Sequence, residues 1–137
     1  MYQIYYLSVT VNLIVGIALS AKLIESKFPA VGKMIDAFAE NGVLRLWLGI
    51  LATAVGVLKL LLVTDGDMRI VGDLFPALAG IFAGLSLVLE HYREKGAVFA
   101  PMVSRAADFL IGYKPLWGIL AFAAAVLHFL FHGALFL

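Results

Sequence analysis

The sequence contains no cysteine. Disulfides, thiolate catalysis and cysteine-ligated metals are therefore excluded, and the redox compartment leaves no mark on the chain. Charge is also scarce. Only 14% of the 137 residues are charged, with 10 Lys and Arg against 9 Asp and Glu, so no basic surplus marks a nucleic-acid partner. The chain has no glycine-rich nucleotide loop, no nucleophile–base pair at a recognisable spacing and no hydrolase metal motif, and the expectation is a non-enzymatic protein with no cofactor.

What is abundant is apolar surface. At 64% apolar residues and a mean hydropathy of +1.03, the chain has more than a soluble core of this length can hide. Four runs are long enough to cross a bilayer, at about residues 4–24, 43–63, 70–89 and 116–137, and none shows the polar face of a soluble bundle helix. The opening MYQIYY carries no positive charge before the first run, which is read as a retained helix rather than a secretion signal. The expected fold is an all-α membrane protein, one domain of four transmembrane helices over residues 1–137.

Charge placement predicts the orientation. Lys22, Lys27, Lys33 and Arg45 fall between runs one and two, and Arg93, Lys95, Arg105 and Lys114 between runs three and four. The turn between runs two and three holds Asp65 and Asp67 with only Arg69. Short basic loops stay cytoplasmic, so both termini and the acidic turn are expected outside, in a bacterial inner membrane.

The chain also resembles itself. LGILATAVGVLKLLL (48–62) aligns with WGILAFAAAVLHFLF (117–131), and VGKMIDAF (31–38) with VSRAADFL (103–110). The latter pair places Lys33 three residues before Asp36 and Arg105 three before Asp108, one helical face in each case. Both segments follow a proline, Pro29 or Pro101, and read as short amphipathic interfacial helices in the cytoplasmic loops. The expected architecture is two parallel two-helix repeats, about 1–64 and 70–137, related by a pseudo-two-fold along the membrane normal. The alignment sets Lys59 opposite His128.

Small residues line parts of the spans: Gly80-x-x-x-Gly84 with Ala77 and Ala83, then Gly49, Ala52 and Gly56, then Gly118 and Ala121. Such faces pack helices within one chain or form the seam of a homo-oligomer. RLWLGILATAVGVLKL (45–60) also resembles the first helix of the small four-helix DoxX-like membrane proteins, where that motif opens the chain.

Five polar side chains interrupt the apolar runs toward the outer face: Asn12, Lys59, Asp73, His128 and His132. Ionisable groups at membrane depth are functional candidates by default. Lys59 can equally snorkel outward, Asp73 can sit at a helix start, and Asn12 can make an interhelical hydrogen bond. His128 and His132 are one turn apart, but no second ligand-bearing helix is evident, and no metal is expected. Tyr2, Tyr5, Tyr6, Trp47, Tyr113 and Trp117 read as interface anchors. The five polar residues are the candidate substrate- or ion-binding set of a homo-oligomeric transporter or channel for a small solute or protons. The alternative is a non-catalytic accessory or scaffold subunit of a larger membrane complex, with membrane lipids as neighbours in either case.

Overall fold

The computed structural model describes residues 2–61 and 74–130, with backbone alone for residues 2 and 37–39. The acidic turn, Asp73 and His132 lie outside the described residues. Among the described residues every element is helical: α1 (Tyr2–Leu19), α2 (Ala21–Lys27), α3 (Pro29–Ala39), α4 (Gly42–Leu61), α5 (Leu74–Glu94), α6 (Pro101–Gly112) and α7 (Lys114–Leu130). Helices α4 and α5 are each long and apolar enough to cross a membrane. Two further spans are available if the bent pairs α1–α2 and α6–α7 each count as one.

Helix boundaries follow local chemistry. Asn41 precedes α4, and its side-chain oxygen accepts the Leu44 amide at 3.2 Å, satisfying one of the donors a helix start leaves open. Proline opens α3 and α6, where a missing amide costs nothing. Gly96, at φ +76°, closes α5 in the left-handed region, its amide bonding Arg93 O and the next amide bonding Tyr92 O.

The first apolar run departs from the expected straight helix. The chain turns by 62° at Ser20, so α1 ends at Leu19 and α2 leaves in a new direction. The turn comes where charge begins. Lys22, Glu25 and Lys27 all lie in α2, and continuing straight would carry them along the apolar axis. At the same end of the bundle, where Gly118 faces Leu19 and Ser20, α6 and α7 meet at 66°. The amphipathic segments expected at Pro29 and Pro101 are thus distinct helices, α3 and α6.

The core is thin and made of small side chains. Val11, Val15 and Leu19 of α1 meet Ala79, Ala83 and Leu87 of α5, with Ala52 from α4 and Ala121 and Ala124 from α7. The most extensive helix pairs are α4 on α5 and α1 on α7. Glycines bring the backbones together in both. A Cβ on Gly49 would lie 2.8 Å from Gly84 O and 3.0 Å from Leu87 Cβ. On Gly118 it would lie 3.0 Å from Gly16 O and 2.8 Å from Leu19 Cβ. The small-residue faces read from the sequence are therefore spent inside the chain, where they let helix backbones approach closely.

Candidate functional site

Lys59 and His128, on different helices, come together. Lys59 is in the last turn of α4 and His128 in the last described turn of α7, and Nζ lies 3.0 Å from Nε2. Both are buried, at 5% and 4% exposure. A lysine ammonium can only donate, so while Lys59 is charged Nε2 is the acceptor and the imidazole proton sits on Nδ1.

Tyr5 of α1 closes the cluster. Its hydroxyl donates to the backbone carbonyl of His128, and the two rings lie 4.6 Å apart between centroids. Lys59 Nζ is 5.9 Å from the Tyr5 ring centroid, at the outer limit of a cation–π contact. Three helices therefore each contribute one polar group to one spot. The expectation that Tyr5 is an interface anchor is corrected: the ring turns inward. Trp117 is likewise not an exposed anchor, since it packs between Phe82 and Phe109 at 5.2 and 5.5 Å. Tyr6, Trp47 and Tyr113 are exposed, as anchors should be.

Asn12 occupies a second site two turns further along the same face of α1, a rise of about 10 Å from Tyr5. It is buried, and its amide nitrogen donates to Pro76 O of α5 at 3.0 Å. Its Oδ1 would stand 2.7 Å from a Cβ on Gly80, so only glycine lets α5 approach this closely. The interhelical hydrogen bond accounts for Asn12. Asp73 and His132 lie outside the described residues, and the pairing of Lys59 with Asp73 with them. No group of three or more metal-ligating side chains occurs among the described residues.

A second polar assembly was not anticipated. At the opposite end of α4 and α7, Glu90 of α5 bonds Lys114 at 2.6 Å and lies 3.6 Å from Arg45, which also pairs with Glu94. Arg93 and Asp108 pair beside it at 2.6 Å. The sequence shows these as loop charges setting orientation. What could have marked Glu90 is that it is the first acidic residue after a run of apolar ones, in register with Arg93 and Glu94 on the last turns of α5. Near the α1–α2 bend, Glu25 faces Asp36. The hydrogen bond that its protonated carboxyl donates to Asp36, and then the negative charge of Asp36, raise Glu25 above the ordinary 4.5, with Lys33 and Lys22 opposing.

Residues 1–128 match the model of a protein family of unknown function, and the chain belongs to that family. No curated protein and no solved structure shows significant similarity to it.

Proposed function

We propose that this chain is a small integral membrane transporter or channel whose substrate site is the Lys59–His128–Tyr5 cluster, taking a proton or a small anionic solute. The observation that carries the proposal is the 3.0 Å contact between two titratable side chains held in a buried position. A lysine and a histidine sharing one hydrogen bond form a pair that can gain or release a proton with little movement. When both are protonated, the same pair becomes an anion receptor.

The architecture we infer is four spans in two like-oriented units, α1–α4 and α5–α7. Its support is a set of equivalent contacts. Gly49 against Gly84 O and Leu87 is matched by Gly118 against Gly16 O and Leu19. Arg45 and Lys114, which the repeat makes equivalent, both pair with Glu90. Lys59 and His128, equivalent in the same way, bond to each other. In this reading, equivalent residues of α4 and α7 flank the pseudo-two-fold at both ends, a geometry suited to one unit rocking against the other. The basic loops put α3 and α6 on the cytoplasmic side of a bacterial inner membrane, with the termini and the Lys59 end outside. A homo-oligomer would join copies through exposed apolar side chains such as Trp47, Leu51 and Leu58, because the glycine faces are occupied.

A second reading, an accessory or scaffold subunit of a larger membrane complex, is favoured by one observation. The two glycine seams bring helix backbones so close that sliding along them is costly. Flux into liposomes decides between the two. The transporter reading expects solute or proton flux in wild type that falls at least tenfold in Lys59→Ala and His128→Ala. Equal flux in all three proteins removes the site. A protein that purifies only with a partner, and is inert alone, supports the second reading.

A further inference from the structure

We propose that the corner joining α5 to α6 is a binding site for anionic phospholipid, and that the matching corner joining α2 to α3 is not. The proposal rests on the membrane reading above and adds to it a lipid class and a location.

The α5–α6 corner displays apolar side chains that the fold does not use. Val98 is 98% exposed and Met102 86% exposed. Their placement is built: the Gly96 cap fixes one side of the connection, and Pro101 starts α6 on the other. Cations flank them. Lys95 and Arg105 are exposed and have no ion-pair partner among the described residues. The carboxylates nearby are already committed, Glu94 to Arg45, Asp108 to Arg93 and Glu90 to Lys114 and Arg45. The corner therefore keeps two uncompensated positive charges beside two fully presented apolar groups. That combination fits a phosphodiester headgroup with its acyl chain, apolar groups entering the acyl boundary while cations hold the phosphate.

The α2–α3 corner presents apolar groups too, Phe28, Val31 and Met34. Its formal charges sum to zero, Lys22, Lys27 and Lys33 against Glu25, Asp36 and Glu40, and Lys33 and Lys22 lie close enough to Glu25 to oppose its raised pKa. Insertion into lipid is open to both corners, but selection for anionic lipid belongs to one.

The test is native mass spectrometry of the full chain in detergent, titrated with phosphatidylglycerol or phosphatidylcholine. Wild type is expected to retain phosphatidylglycerol preferentially, by roughly fivefold per engaged cation. Lys95→Gln with Arg105→Gln should abolish the preference, and Val98→Ser with Met102→Ser should weaken retention of both lipids. Lys27→Gln with Lys33→Gln should leave the preference intact. All these side chains are exposed, so the folded state is kept, and circular dichroism confirms it. An unchanged preference in Lys95→Gln/Arg105→Gln, or an equal loss in Lys27→Gln/Lys33→Gln, overturns the site. Displacement of the lipid by millimolar inorganic phosphate would make it a free-anion site and overturn the lipid assignment. Carbonate extraction of cell membranes separates the two levels: release of wild type into the soluble fraction sinks the membrane reading itself, whereas retention without lipid preference sinks only this inference.

Discussion

The α4–α5 seam and the α1–α7 seam are built alike at the backbone and differently in chemistry. Gly49 and Gly84 cross in one, Gly118 and Gly16 in the other, each with a leucine, Leu87 or Leu19, beside the crossing. The charged positions are not alike. Arg93 and Asp108 form a 2.6 Å ion pair, while at the corresponding place in the first half Glu25 faces Asp36, two acids. Lys59 and His128 are a second example, one place filled by two chemistries that then meet. Backbone contact at a glycine admits no alternative, because any Cβ strikes a main-chain atom. A charged side chain at a helix end can be exchanged for another as long as a partner or water is in reach.

The comparison breaks most directly at the glycines. Gly16→Ala and Gly84→Ala each force a Cβ to within 2.8 Å of the facing backbone, and we expect each to lower stability by about 2–3 kcal/mol in detergent thermal unfolding. A large loss in one and none in the other would show that the seams are not equivalent. Next is the shared polar spot. His128→Ala removes one buried hydrogen-bond partner of Lys59 and should cost about 2 kcal/mol, and Lys59→Met, which keeps the apolar stem, should cost less. A double-mutant cycle reads the coupling, and a zero value would mean that the two side chains merely lie close.

Asn12→Ala loses one interhelical hydrogen bond, worth about 1 kcal/mol in a membrane setting. It should lower stability and, under the transporter reading, leave flux unaltered, since Asn12 stands two turns from the Lys59 cluster. Glu90→Gln weakens both ion pairs at the far end, and an effect of about 0.5–1 kcal/mol that shrinks with added salt is expected.

The smallest effect is the acid pair. Because the folded pKa of Glu25 is raised, its contribution is complete below about pH 4.5 and is lost as pH rises through the raised value. Hydrogen-exchange protection factors across α2 and α3, corrected for the intrinsic pH dependence of amide exchange, should therefore be larger in mild acid than at neutral pH. Glu25→Arg, which installs the Arg93–Asp108 arrangement in the first half, should flatten that dependence. Protection factors in α2 and α3 that ignore pH in wild type would show that the two acids do not interact.

Much of the fold was legible in residues. Proline after a charged loop placed the starts of α3 and α6, and sustained apolar runs placed α4 and α5. The 62° turn at Ser20 was not legible, because an apolar run reads the same whether straight or bent, and only the first charged side chains of α2 hint at where it ends. The site was half legible. Lys59 and His128 stood out as ions among apolar neighbours, but Tyr5 did not, because an aromatic at a span end fits the interface equally well. Asn12 stood out for the same polarity, and its amide bonds Pro76 O of α5.

By itself the sequence determined composition-scale properties: an all-helical chain, apolar enough for a membrane, with small residues at helical spacing. These depend on local or averaged energies, transfer from water and backbone propensity, that need no knowledge of neighbours. The tertiary structure alone decided which small faces meet, that α1 pairs with α7 across the whole length of the chain, and that Lys59, His128 and Tyr5 converge on one point. Those outcomes depend on distances of a few ångströms between residues far apart in sequence, and such distances exist only once the helices have packed.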